Sequence, residues 1–443
     1  MPAPVADKTV LVQIEKLIHG GAGLAHDGSL AVFVPGVLPG ESVSVHLERQ
    51  RKGFAEGRLL DVVSPSSDRV EAPCPVYGQC GGCQLQHATA AAQLTLKRNV
   101  LAETLARVGG LTDLIVPPLV PSPEVFGYRN RARFAVAAVA GQPPELAYYE
   151  EKSHRPVRIE TCLLLPPALN DAVRAINDLL AVGGAIASNL REVRLGMSFT
   201  SGELVVQYLG EHATRRQAEA WFAAVRSNIP NLKGQSLIVG RGEHSRRWTD
   251  GNLTLAEAVA GVTFLFGERS FTQANFKLNE TLVRTVMDWV TAMRGSEPLR
   301  VLELYAGVGN FGLPIAREGA LVTLVEGHRT ALTNARETAK LNRIRNCRFR
   351  SDSAEAIMRI SKPEEYDVIV LDPPRSGLSK EGLAELLRLR PRWILYLSCD
   401  PPTVARDVRG MRTAGYHVSR IQGFDMFPQT MHVETLVELT GRV

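Results

Sequence analysis

The sequence predicts an α/β protein in three parts: a small N-terminal β-barrel, a central α+β region and a C-terminal Rossmann-like domain. Three observations predict it. Short apolar runs separated by Gly and Pro turns fill the first 64 residues. Three closely spaced cysteines open the middle region. A glycine-rich turn between a strand and a helix begins repeated strand–helix alternation near the C-terminus.

A chain of 443 residues corresponds to roughly two to four domains. The hydrophobic share, 45 %, is that of globular domains and too high for disorder. A formal charge of +5 permits nucleic-acid binding without requiring it, so any footprint must be local. Neither a signal-peptide pattern nor a membrane-length apolar run is present, which predicts a cytoplasmic protein with no membrane partner. In that compartment six cysteines suggest metal, cluster or catalysis before structural disulfides.

The barrel, residues 1–64, should contain strands at Thr9–Ile14, Ala31–Val34 and Ser42–Leu47. The basic stretch Glu48-Arg49-Gln50-Arg51-Lys52 reads as a charged loop. Ser64 to Pro73 reads as a linker. The central region is expected over residues 65–270, its first helix, 88–108, stopping at Gly109-Gly110 and free to pack on the last domain. The last domain is expected over 271–443. Tyr128-Arg129-Asn130-Arg131-Ala132-Arg133-Phe134, as a strand, would put three arginines on one face, suited to phosphates or simply solvated.

Cys74, Cys80 and Cys83 form C-x5-C-x2-C around Gly81-Gly82. Glycines there let backbone wrap closely around a metal centre. Cys162 could supply a fourth thiolate, giving a set suited to zinc or to an iron–sulfur cluster. Cys347 reads as an incidental buried thiol.

The C-terminal pattern is a nucleotide-binding βαβ unit. A strand at 299–304 leads into Tyr305-Ala306-Gly307-Val308-Gly309-Asn310-Phe311-Gly312, then a helix, then a strand ending at Glu326, placed for ribose hydroxyls. The glycines literally satisfy the dinucleotide pattern. Two features favour S-adenosylmethionine instead: Glu303, placed to hold the cationic methionyl end, and Asp372-Pro373-Pro374-Arg375 at a later strand tip. Asp352, after another strand-like run, would meet the adenine.

Cys399, in Ser398-Cys399-Asp400-Pro401-Pro402, follows the apolar run Trp393–Leu397 and so should sit at a strand tip. An amine acceptor needs no covalent help, whereas C5 of a pyrimidine does. A thiolate adding to C6 makes C5 nucleophilic, and a base must then remove the C5 proton. Glu434, a carboxylate in the apolar stretch Met431–Leu436, is a candidate base, and Asp372 and Asp400 are alternatives.

These residues resemble the RNA uracil-C5 methyltransferase family, and within it the bacterial 23S rRNA enzymes with an N-terminal TRAM domain and a [4Fe-4S] cluster. Gly23-Leu24-Ala25 through Val34-Pro35-Gly36 and Pro39-Gly40-Glu41 looks like TRAM, an OB-like RNA-binding barrel. The resemblance implies cluster ligands at Cys74, Cys80, Cys83 and Cys162. Phe271-Thr272-Gln273-Ala274-Asn275 resembles the motif whose glutamine touches the donor. Donor-binding positions then fall on Gln273, Tyr305, Asn310, Glu326 and Asp372, with Asp352 beside them, the nucleophile on Cys399 and the base on Glu434. The implied substrate is RNA, 23S rRNA before tRNA, because the tRNA-specific relatives usually lack both TRAM and cluster; a monomer is expected. A radical iron–sulfur enzyme is the competing class, but its C-x3-C-x2-C spacing differs from the five-residue first gap here.

Overall fold

The computed structural model describes residues 8–138, 142–240, 242–267, 270 and 272–441. The first seven residues of the expected barrel and Phe271 lie outside them.

The N-terminal strands are Thr9–Gln13, Lys16–Leu17, Gly23–Asp27, Leu30–Val34, Ser42–Arg51 and Phe54–Ser64. By first residue they lie in the order 9, 42, 54, 30, 23, 16. Alternate side chains point inward, so Val10, Val12, Ala25, Val32, Val34, Val43, Val45, Leu47 and Ala55 share one core. The charged stretch 48–51 is not a loop: the strand from Ser42 runs through it to Arg51 and pairs with Phe54–Ser64. Cross-strand pairs Arg58–Glu48, 2.9 Å, and Arg49–Glu56, 3.8 Å, hold polar residues that hydrophobic patterning does not mark as strand. The expected linker is anchored, since Arg69 donates to Glu41 Oε1 at 2.5 Å and to Oε2 at 2.6 Å.

The central region is a seven-stranded sheet, in the order 246, 232, 204, 190, 131, 145, 156 by first residue. Helices Pro167–Val182 and Arg215–Asn228 supply apolar residues to its core, where Ala132 and Phe134 of strand Arg131–Ala137 also point. Arg131 and Arg133 therefore take the opposite face.

In the C-terminal sheet the parallel strands Cys347–Arg350, Leu321–Val325, Arg300–Leu304, Val368–Leu371 and Trp393–Ser398 are followed by Glu434–Thr440 and His417–Phe424. Glu434–Thr440 is antiparallel to both of its neighbours. Counted along the chain the order is 3-2-1-4-5-7-6. Strand order reverses between Arg300–Leu304 and Val368–Leu371, the crevice where open α/β sheets bind ligands.

Two central elements pack with this domain. Helix Ala90–Arg107, capped by Thr89, puts Leu101 and Leu105 into the same core as Val404 and Val408 of helix Pro401–Thr413. Hairpin Leu255–Val259/Val262–Phe266 shares a core with helix Phe276–Ala292.

Candidate active site

Three neighbouring strands converge on one point. Val368–Leu371 delivers Asp372, Trp393–Ser398 delivers Cys399, and Glu434 opens the strand beside it. Glu434 therefore stands at a strand start, not inside the strand. Asp400, next to the thiol, N-caps helix Pro401–Thr413, accepting from Thr403 N at 3.1 Å and Thr403 Oγ1 at 2.5 Å. That duty separates Asp400 from the other two carboxylates.

The electrostatics follow from burial. Glu434 is 2 % exposed, and its Oε1 is buried without a hydrogen-bond partner. Burial and the charge of Asp372 push its carboxyl well above the usual range. Burial raises Asp372 to about 7. Two close carboxylates do not both ionise readily, so the pair retains a proton near neutrality. Cys399 is pushed up to about 11 by burial and by Glu434 and Asp372, against the opposing Arg375 cation. The sequence analysis gives Arg375 no role beyond closing the Asp372-Pro373-Pro374-Arg375 segment. Its Nη2 also lies 3.3 Å from His432 Nε2. From the barrel, His19 Nε2 reaches Asp400 Oδ1 at 3.6 Å.

The glycine turn is built around Glu303. This residue is 2 % exposed, and its oxygens accept Phe311 N at 3.2 Å and Gly312 N at 3.0 Å. Burial raises it to about 8 despite those two amides. Glu303 thus shapes the loop from below, its oxygens engaged by the loop's own amides. A Cβ on Gly312 would sit 2.3 Å from Glu303 Oε2, and Gly309 has φ +84, so the turn needs glycine at both places.

Glu326 ends its strand with Oε2 on Gly307 N, 2.9 Å, and Oε1 on His328 N, 2.6 Å. A carboxylate has further lone pairs for a ribose. Tyr305 holds a left-handed φ of 60, and its hydroxyl is raised to about 12 by burial and by the charge of Glu355. Asn310 forms a reciprocal amide pair with Asn279, at 2.9 and 3.0 Å, a partner the sequence did not reveal. Gln273 is buried. Its neighbour Asn275 caps helix Phe276–Ala292 and donates to Ser122 Oγ at 2.9 Å and Met426 O at 3.2 Å. Asp352 is exposed, 3.9 Å from Arg350. The bare glycine turn flanked by Tyr305, Asn310 and Glu326 fits a nucleoside with a charged tail.

Cys74, Cys80, Cys83 and Cys162 line a single cavity of about 290 Å³. Burial raises the Cys80 and Cys162 thiols and pushes Cys83 up to about 12. Arg129 also lines the cavity, and its buried Nε has no hydrogen-bond partner. Among the described residues no three His, Cys, Asp or Glu side chains are grouped tightly enough for a single metal ion. Cluster sulfurs would fill the space and accept from Arg129, so the residues fit such a group.

The remaining arginines of that segment share a 640 Å³ pocket with Arg129, Arg194 and Gln207. Arg133 and Arg194 are directly paired across strands, and Glu192 bridges both.

Residues 90–442 match the family tRNA (Uracil-5-)-methyltransferase. The chain belongs to that family. Residues 7–60 match the TRAM domain. The chain is 37 % identical over 443 residues to a 23S rRNA (uracil(1939)-C(5))-methyltransferase of Halomonas elongata, covering 96 % of this chain and 88 % of that one. An uncharacterised RNA methyltransferase of Halalkalibacterium halodurans is 32 % identical over 455 residues, covering 99 % and 98 %. Among solved structures, the tRNA (uracil-54, C5)-methyltransferase of Pyrococcus abyssi, in complex with S-adenosyl-L-homocysteine, gives a TM-score of 0.75 at 26 % identity, covering 97 % of this chain and 100 % of that one. This family member is an S-adenosylmethionine-dependent RNA methyltransferase enzyme of the uracil-C5 class with an N-terminal TRAM domain. No helix among the described residues is long and apolar enough to cross a membrane.

Proposed function

We propose that the protein forms 5-methyluridine in 23S rRNA, with Cys399 as nucleophile and Glu434 as base. The observation that carries this reading is the convergence of Cys399, Asp372 and Glu434 at the ends of three adjacent strands. Gln273, Tyr305, Asn310, Glu326, Asp352 and Asp372 would hold the donor, which supplies an electrophilic methyl group when bound.

The Cys399 thiol gives its proton to solvent, the Arg375 cation favouring the thiolate, and Sγ bonds to uracil C6 as the C5–C6 double bond opens. Electron density moves to C5, which takes the methyl group as the donor's S–CH3 bond breaks and its sulfur leaves as a neutral thioether. Glu434 then removes the C5 proton, and the C6–Sγ bond breaks to restore the double bond. Glu434 becomes available as base once a positive charge bound near Asp372 relieves the repulsion between the two carboxylates. A target base inside structured RNA must be flipped out to reach the thiol, and Arg131, Arg133 and Arg194, which line one pocket, are proposed to hold phosphates of that RNA.

The 37 % identical rRNA enzyme supports 23S rRNA. The near-complete overlap with the Pyrococcus abyssi enzyme favours tRNA as the second reading. The four thiols are proposed to hold a closed [4Fe-4S] cluster, unlike the three-cysteine site of radical enzymes. The test is incubation with donor and 5-fluorouridine-containing 23S rRNA or tRNA. Fluorine at C5 cannot leave as a proton, so a covalent adduct should accumulate on rRNA and vanish in Cys399→Ala. No adduct on either RNA, or one surviving Cys399→Ala, overturns the nucleophile; an adduct on tRNA alone overturns the rRNA reading.

A further inference from the structure

We propose that the loop after Cys83 positions Glu434 through Gln429, so that losing the cysteine centre loosens the base while leaving the nucleophile in place. The catalytic half of this inference rests on reading Glu434 as the base; the mechanical half does not.

Residues 425–433 form the segment that leads into Glu434, and it is fixed almost entirely by other parts of the chain. The amides of Gln84 and Leu85, immediately after Cys83, both donate to Gln429 O, at 3.0 and 2.9 Å. On helix Ala90–Arg107, Gln93 closes a two-way clamp on the same residue. Its Nε2 donates to Gln429 Oε1 at 2.9 Å, and its Oε1 accepts from Gln429 N at 2.9 Å. Gln429 is thus held at φ 70, in left-handed backbone that a non-glycine residue keeps only when its surroundings over-determine it.

The rest of the segment is tied down in the same way. Tyr128, next to the Arg129 that faces the cysteine cavity, donates to Pro428 O at 3.0 Å. Lys97 donates to Phe427 O at 2.9 Å. Below these polar ties Met431 packs with Leu85, Val100 and Leu17 in one small apolar cluster. The mechanical path is therefore short: Cys83, Gln84 and Leu85, Gln429, then five residues to Glu434.

Glu434 also belongs to the C-terminal sheet, paired with Phe424 and one residue before the Thr435–Ser398 pair, but its chain enters from the clamped segment. The strand before Cys399 pairs on both sides within that sheet, and Asp400 caps the helix that follows. None of those hydrogen bonds comes from the cysteine loop. Disturbing the loop should therefore separate the two halves of the reaction, which a general loss of folding would not do.

The experiment is backbone hydrogen–deuterium exchange on full-length wild type, Cys83→Ser and Gln93→Leu, without donor or RNA. Residues 425–434 should exchange at least about tenfold faster in both variants, with residues 393–398 unchanged. Wild-type protection of 425–434 while residues 74–86 exchange freely in Cys83→Ser overturns the proposal. If Cys83→Ser does not fold, Gln93→Leu carries the test, because it leaves all four cysteines intact. In Gln93→Leu, adduct formation with 5-fluorouridine RNA should stay within about twofold of wild type while release of methylated uridine RNA slows about tenfold or more. Equal slowing of both steps overturns the positioning role. Failure of the base assignment is seen separately, as unimpaired release in Glu434→Gln.

Discussion

The Cys399 thiol works against its surroundings. At about 11 it is almost wholly protonated near neutrality, and the thiolate is the nucleophile. The carboxylates of Glu434 and Asp372 raise it; only Arg375 among the named charges lowers it. Adduct formation with 5-fluorouridine RNA should therefore rise with pH, about tenfold per unit between pH 7 and 9, as the thiolate fraction grows. Arg375→Ala should raise the thiol further and slow adduct formation at pH 7.5 by about tenfold, with much of the loss recovered at higher pH. A deficit unchanged by pH would mean that Arg375 serves the RNA and not the thiol. Cys399 and Asp372 were legible because each follows an apolar run and is marked by prolines. The loop amides that Glu303 accepts were not legible, for a physical reason. Its strand is buried on both faces, so periodicity does not reveal which side a residue takes. Arg375 was undervalued because its partners, Cys399 and His432, are distant in sequence.

At the scale of elements, helix Ala90–Arg107 was legible in extent, from Thr89 to the Gly109-Gly110 stop, and expected against the last domain, but its polar partners were not legible. Its Lys97 side chain is 0 % exposed and donates to Asp425 Oδ1 at 2.5 Å, across 328 residues of sequence. A lysine in an amphipathic pattern reads as a solvent-facing residue until the partner is known. Burial lowers the Lys97 ammonium, and Asp425 counters it. Lys97→Met would leave Asp425 buried beside an apolar chain and should cost about 3–5 kcal/mol of stability. Pairing it with Asp425→Leu should restore most of that loss in denaturant unfolding, since replacing both partners removes the stranded charge. An additive double mutant would show that the two groups act independently. The charged stretch 48–51 failed the other way. It became strand because paired charges replace the apolar alternation that sequence reasoning relies on.

Across the whole molecule the three expected parts are present, but they are not beads joined by linkers. The barrel's Lys16 reaches Glu103 of helix Ala90–Arg107 at 2.5 Å, and Gly21 leaves no room for a Cβ beside Met431. Such contacts join residues far apart in sequence, and no local pattern announces them. The cysteine cavity is lined by the central region, Cys80 and Cys83 also line a 780 Å³ groove against the barrel, and the loop after Cys83 donates to Gln429 of the last domain. A centre bound there would brace the junction, because binding to the folded state alone adds directly to stability. Anaerobically purified protein should carry about four iron and four sulfide per chain. Removing the iron by oxidation and chelation should lower the melting temperature and expose residues 74–86 to protease. Stoichiometric zinc without iron would replace the cluster with a single-ion site. An iron-free protein that melts like the loaded one would show that the junction is held by the hydrogen bonds around Gln429 alone.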